Sequence, residues 1–169
     1  MSRDIWLISD THWGHRNIIN YCDRPFSDEN EMDEALINNW NSVVKDGDIV
    51  YHLGDVYWFD ETNPDKPPVF HNRLKGRKRL IMGNHDNYHD PWLPRTFKKI
   101  MQWRPFPEFD IVLTHQPLHP EGLEHKWKFN IHGHTHQSLV DDDRYINVSV
   151  EQINYTPINI MEIIKKIAA

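Results

Sequence analysis

Leu80-Ile81-Met82-Gly83-Asn84-His85-Asp86 joins a short apolar run to a glycine and then to three polar side chains of different chemistry. The run reads as a buried strand and the glycine as the point where the chain leaves it. In open α/β sheets ligands collect at the carboxyl ends of strands. An amide oxygen, an imidazole and a carboxylate would therefore arrive together where a site is built. Four other strand-like runs end the same way. Residues 4–9 run into Asp10-Thr11-His12, and residues 49–53 into Gly54-Asp55. Residues 109–113 lead to Thr114-His115, and residues 129–131 to Gly133-His134-Thr135-His136.

The segments between these runs set the fold class. Residues 27–44 predict an amphipathic helix, with Ser27 or Asp28 as cap, a stripe of Met32, Leu36, Ile37, Trp40, Val43 and Val44, and Gly47 at its end. A helical turn is expected over 18–21, short helices over 69–74 and 91–101, and a last helix over 161–168. Residues 145–150 read as a further strand, and 56–68 as an aromatic, proline-rich loop. The first half alternates strand and helix while the second is mostly strand, which is an α/β pattern. No linker divides the chain, so residues 1–169 are expected to form one domain.

Composition narrows the function. The 169 residues carry a net charge of −6, which argues against a dedicated nucleic-acid binder. No stretch approaches the length of a membrane span, and Met1-Ser2-Arg3-Asp4 runs into a strand with no apolar leader, so a cytoplasmic location is expected. The lone Cys22 argues against an internal disulfide and against cysteine-built metal sites. Twelve histidines are the unusual count, and histidine is both the commonest metal ligand and the acid–base group for neutral pH.

Asp10, His12, Asp55, Asn84, His115, His134 and His136 make seven donors at strand ends. Seven exceed the needs of one catalytic zinc with an open position, and fit two metals roughly 3.5–4 Å apart sharing a carboxylate. Nitrogen and oxygen donors without thiolate suit divalent Mn, Fe, Zn, Ni or Co better than Ca or Mg; manganese is the ion expected. Glycines before Asp55, Asn84 and His134 would permit the close backbone approach.

This ordered set, Asp-x-His, Gly-Asp, Gly-Asn-His-Asp, a separate His and Gly-His-x-His from Asp10 to His136, resembles the calcineurin-like metallophosphoesterase superfamily. The opening Ser9-Asp10-Thr11-His12-Trp13-Gly14-His15 resembles a small bacterial and phage branch. The resemblance implies a four-layer αββα sandwich of two mixed sheets flanked by helices. It also implies a first metal on Asp10, His12 and His136, a second on Asn84, His115 and His134, and Asp55 bridging both. A water or hydroxide between the metals would then attack phosphorus in line, with His85 as general acid and Asp86 orienting it. Phosphodiester or phosphomonoester substrates are implied, diesters slightly favoured, with nucleotides or nucleic-acid ends as candidate partners. The Ser/Thr phosphatase branch places an aspartate three residues after its Gly-Asp, where this chain has Trp58, so a phosphoprotein substrate is disfavoured. A non-catalytic metal-binding module on the same fold, as in a retromer subunit, is the alternative.

The other candidates carry two readings each. Arg16 and Arg24 could grip a phosphate oxygen or be ordinary loop cations. His15 could support a ligand or touch substrate, while His52 inside a strand reads as a hydrogen-bonded core residue. His71, His89, His119, His125 and His132 read as surface or structural. The basic run 75–79 reads as a solvated turn rather than a phosphate contact. The seven tryptophans read as packing rather than base-stacking platforms.

Overall fold

The computed structural model describes residues 3–167. Met1 and Ser2, and Ala168 at the expected end of the last helix, lie outside the described residues. Four parallel strands, β1 (Ile5–Ile8), β2 (Ile49–His52), β3 (Arg77–Ile81) and β4 (Lys99–Met101), form most of one sheet. A short β9 (Ile158–Asn159) adds antiparallel to β1, giving the order β4-β3-β2-β1-β9. The second sheet has the order β5-β6-β7-β8, from β5 (Trp103–Phe106), β6 (Ile111–Thr114), β7 (Phe129–His132) and β8 (Tyr145–Asn147). In it β5 is antiparallel to β6, while β6, β7 and β8 are parallel. Helices α1 (Arg16–Tyr21), α2 (Glu29–Val43), α3 (Leu93–Thr96) and α4 (Ile160–Ile167) complete an α/β fold of two mixed sheets.

Burial on both faces explains why β1, most of β2 and the end of β3 read as continuous apolar runs. Ile8, Val50 and Leu80 point to one face and pack with Trp13, Met32, Leu36 and Trp40, so α2 covers that side. Leu7, Tyr51 and Ile81 point to the other face and meet Ile111, Leu113 and Ile131 of the second sheet. Both faces of the first sheet are thus buried, and Ile160 and Ile163 of α4 join the core between the sheets. Fully burying one such side chain contributes about 1.5–3 kcal/mol.

At the start of α2, Asp28 is the cap and accepts from the Glu31 backbone N at 2.8 Å, while Glu31 reaches back to the Ser27 backbone N at 2.7 Å. Its end differs from expectation. Val44 is already extended and turns its side chain into the core, so α2 stops before Gly47.

The expected helix over 69–74 is a series of turns, although it still buries Phe70 and Leu74. The expected helix over 91–101 persists only as α3. Phe97 turns extended, Lys98 N donates to Lys78 O, and 99–101 joins the sheet edge as β4. Pairing with β3 outweighs local helical pattern there. The basic run lies partly inside β3, where Lys78 Nζ is held by the carbonyls of Leu74 and Gly76. β5 and β9 were not expected. Pro105 obscures β5, and it is tolerated because β5 is an edge strand.

Candidate metal centre

The carboxyl ends of β1, β2, β3, β6 and β7 converge because their backbones are stitched together just past the strands. Ser9 N donates to Val148 O, Asp10 N to Gly54 O, and Gly133 N to His115 O, at 3.0, 3.0 and 2.9 Å. Beyond each strand the chain turns sharply. Asp10, His12, Asp55, His134 and His136 all adopt left-handed backbone, with φ of 58, 50, 55, 68 and 48°. Outside glycine this region is uncommon, and its concentration here marks a functional site. It breaks strand alternation, so residues two apart face the same point.

The glycines are required by contact. A Cβ on Gly54, itself at φ +99°, would come within 2.6 Å of the Gly83 Cα. One on Gly83 would overlap Asp55, and one on Gly133 would overlap Ser9 and Asp10.

Two groups of donors result. Asp10, His12 and His136 form the first, and Asp55, His115 and His134 the second, each with donor atoms within 4.8 Å of one another. Asn84 joins the second, its Oδ1 lying 2.9 Å from His115 Nε2. The Asp55 Oδ2 stands between the groups, 3.7 Å from His12 Nε2 and 3.4 Å from His115 Nε2. Each carboxylate is anchored by one oxygen only. Asp10 Oδ2 accepts from His134 N at 2.9 Å and from Ser149 Oγ at 3.0 Å, and Asp55 Oδ1 accepts from His85 N at 2.9 Å. The other Asp10 oxygen and His12 Nε2 are buried with no hydrogen-bond partner among the described residues. A buried polar atom left unpaired costs about 1–3 kcal/mol. A divalent cation would satisfy both atoms, so the residues of the first group fit one, and the second group offers a carboxylate and two imidazoles of the same chemistry.

Electrostatics follow this burial. Burial raises the Asp10 carboxyl above its ordinary range, partly offset by His115 and His136. Burial acts the same way on Asp55, but the His115 hydrogen bond and charge prevail and its pKa falls below the usual carboxylate range. Burial pushes His12 down to about 2, so its imidazole is neutral, the form a metal ligand needs. For His136, burial lowers the pKa, but contact with Cys22 and Glu151 overcomes it and lifts it to about 10.

Two candidate residues sit differently from expectation. Asp86 does not orient His85. Its buried carboxylate accepts from the backbone N of Asp55, Val56 and Gly83, at 3.0, 2.8 and 2.8 Å, and so clamps two ligand-bearing loops to each other. Arg24 is not a substrate contact. Its side chain is 0% exposed and bonds Thr11 O, Asp10 O and Glu151 Oε1 at 2.9, 2.7 and 2.7 Å. Arg16, by contrast, is exposed and pairs loosely with Glu29 at 3.4 Å. His85 is exposed, with its ring 5.7 Å from that of His12.

His52 is fully buried and fixes a turn. It accepts from Gly54 N through Nδ1 at 3.2 Å, and Nε2 lies 2.8 Å from Thr11 Oγ1. His15 stacks on the exposed Trp58, ring centroids 4.7 Å apart.

Sequence reasoning missed Glu151. Its Oε1 accepts from His136 Nδ1 at 3.0 Å while Arg24 holds the same oxygen, and burial, which would raise its pKa, is outweighed by His136 and Arg24, bringing it to about 2. An ionised carboxylate behind a histidine fixes the tautomer that offers Nε2 to a metal. The signal lay in Ser149 and Glu151, two apart, both reaching the first group. Cys22 approaches His136 and Glu151 as well, but those two are already engaged with each other.

A two-sheet α/β sandwich with two His/Asp donor groups at its strand ends defines a metal-dependent phosphoesterase class of fold. The comparisons agree. A family model for the calcineurin-like phosphoesterase superfamily domain matches residues 4–154. An uncharacterized protein of Methanocaldococcus jannaschii is 38% identical over 172 residues, covering 98% of this chain and 92% of its own length. The gene 66 protein of Mycobacterium phage L5 is 29% identical, covering 80% of this chain and 78% of its own. The crystal structure of a protein of unknown function from Aquifex aeolicus superposes with a TM-score of 0.78 at 30% identity, covering 97% of this chain and 99% of that one. The chain belongs to the calcineurin-like phosphoesterase superfamily, and its archaeal and phage relatives fit the small branch that residues 9–15 resemble. Membership places it among the metal-dependent hydrolases of phosphoester bonds. No helix among the described residues is long and apolar enough to cross a membrane.

Proposed function

We propose that this chain hydrolyses phosphodiester or phosphomonoester bonds at a two-metal centre, with diesters preferred and small phosphoesters or nucleotides, including nucleic-acid ends, as substrates. The observation that carries this reading is the position of Asp55 Oδ2, within reach of a histidine from each donor group. Asp10, His12 and His136 would hold one divalent cation; Asn84, His115 and His134 the other; Asp55 both. Manganese, one of the divalent ions such a nitrogen and oxygen donor set accepts, is the ion we propose. When bound, such a pair supplies Lewis acidity and lowers the pKa of a water between the ions toward neutrality.

The chain's own residues do the rest. His85 stands at the rim, exposed, with its backbone N fixed on Asp55. Its ring is free to hydrogen-bond a phosphoryl oxygen and to protonate the departing ester oxygen. Asp86 serves by keeping the loops of Asp55 and Asn84 in register. Arg16 can leave its half-buried partner Glu29 for a non-transferred oxygen, since surface pairs of this kind contribute only about 0–1 kcal/mol.

The test is His85→Ala with the metals counted. Both metals should remain, turnover of an alkyl phosphodiester should fall about 10²–10⁴-fold, and turnover of a p-nitrophenyl ester should fall far less. Unchanged alkyl turnover would remove His85 from the mechanism. Two bound metals with no hydrolysis of any ester would favour the non-catalytic binding module.

A further inference from the structure

Two recesses open on the donor groups, one beside each. The first, about 440 Å³, is lined by His12 and His85 together with His15, Trp58, Asp60 and Glu61. The second, about 600 Å³, is lined by Asn84 and His115 together with Tyr88, Gln102, Trp103 and Trp127. The seven tryptophans were expected to be packing, yet Trp58 and Trp103 are 60% and 50% exposed, and Tyr88 is 74% exposed. Each stands in one of these recesses.

The second recess is chemically distinctive. Among the described residues, no Asp, Glu, Lys or Arg side chain lines it. A phosphate chain would find no countercharge there, whereas a flat neutral ring would cover aromatic surface that water now touches. Amides accompany the rings. Gln102 Nε2 donates to the Tyr88 hydroxyl at 2.9 Å, steadying it, while Gln116 is exposed in the same wall. Rings plus amides are what a nucleobase needs, stacking on its face and donor–acceptor pairs at its edge.

The first recess differs in role. His85 lines it, so the arm whose oxygen His85 protonates departs on that side. Asp60 and Glu61 in its wall disfavour an anionic leaving arm. The second recess is then left for the ester arm that stays on phosphorus. A phosphomonoester has only one arm and would leave one recess unused.

We propose that the aromatic recess beside Asn84 and His115 binds a nucleobase on the retained ester arm, making the substrate a small phosphodiester with one phosphate between two uncharged arms. This rests on the phosphoesterase reading of the metal centre, and the test separates the two. The p-nitrophenyl ester of thymidine 5′-phosphate and methyl p-nitrophenyl phosphate share a leaving group and differ only in the retained arm. With manganese-loaded protein, the thymidine ester should show at least tenfold higher kcat/KM, expressed mainly in KM. Trp103→Ala should lower the thymidine-to-methyl ratio about tenfold, within the range for one stacked base. Tyr88→Ala, in an exposed loop, gives a second reading should the first variant fold poorly. Calorimetric binding of thymidine 5′-phosphate should weaken about tenfold in parallel. Hydrolysis of both esters at similar efficiency, or a ratio unmoved by both variants, overturns the nucleobase recess and leaves the phosphoesterase reading standing. Hydrolysis of neither ester overturns that reading, and the recess assignment with it.

Discussion

Replacing Glu151 with glutamine removes one charge and very little else. The side chain keeps its length and an acceptor oxygen within reach of Arg24 and His136. In the native protein Glu151 Oε1 takes Arg24 Nε at 2.9 Å, Arg24 Nη2 at 2.7 Å and His136 Nδ1 at 3.0 Å. The side chains of Arg24 and Glu151 are 0% and 4% exposed, so water does not screen the pair. Breaking a buried pair by removing one partner costs about 3–5 kcal/mol, because the other charge stays buried without a countercharge. Here the Asp10 and Thr11 carbonyls still accept from Arg24, which favours the low end, about 3 kcal/mol. For a chain of this size each kcal/mol moves Tm by about 2–4 °C, so Glu151→Gln should melt roughly 6–12 °C below wild type.

The same substitution should weaken one metal and spare the other. Glu151 stands behind His136 of the first group and touches no member of the second. Loss of such a supporting carboxylate typically costs 10–100-fold in metal affinity. Titration with manganese or cobalt should therefore show one weakened site and one unchanged site. A variant with wild-type Tm and two wild-type affinities would refute the reasoning, and equal weakening of both sites would refute the assignment of Glu151 to the first group.

Three further perturbations follow from the geometry. Gly83→Ala places a Cβ onto the Asp55 backbone N, which cannot yield as a side-chain end could. Urea melts should show about 3 kcal/mol lost, against less than about 1 kcal/mol for Gly47→Ala, where the added Cβ meets open space. Burial raises Asp33 to about 6 although the Gly14 N–H partly stabilises its charge. A raised carboxyl favours the protonated fold, so the contribution of Asp33 to stability is greatest below about pH 4 and declines up to about pH 6, by at most ~3 kcal/mol. Asp33→Asn should flatten that decline in urea melts between pH 4 and 7, and an unchanged slope would assign the pH dependence elsewhere. Metal removal should lower Tm, since an ion at 100 times its Kd stabilises by about 2.7 kcal/mol per site. Differential scanning calorimetry with and without chelator measures this, and a Tm indifferent to chelator would deny the native state its metals.

Much of the donor set was legible because each donor follows its own strand within a few residues, a local pattern that needs no knowledge of partners. Gly54, Gly83 and Gly133 were legible for the same reason, since a glycine between an apolar run and a polar side chain marks where the chain must turn. What failed was long-range. Asp86 sits beside His85 in sequence, yet its carboxylate is bound by peptide groups about 30 residues away. Arg24 and Glu151 are 127 residues apart, and only folding reveals that the arginine is buried against the glutamate. β4 was misread because its pairing with β3, rather than its own residues, decides its conformation.

The arrangement of the donors also bears on what a cation does here. Asp10 and Asp55 each have one oxygen held by peptide or hydroxyl donors of the fold and the other turned toward imidazoles. Glycines let the backbones close around those anchored oxygens, and Asp86 ties the Asp55 and Gly83 loops together. The carboxylates are therefore positioned by the protein and need no ion to place them. Five donors nevertheless hold left-handed backbone, at roughly 1–3 kcal/mol each for sparsely populated conformations, and two of the buried donor atoms, Asp10 Oδ1 and His12 Nε2, lack partners among the described residues. A site organised in advance but held under strain would gain stability on binding a cation. The fold fixes where the donors stand, and a bound cation would offset part of what that placement costs.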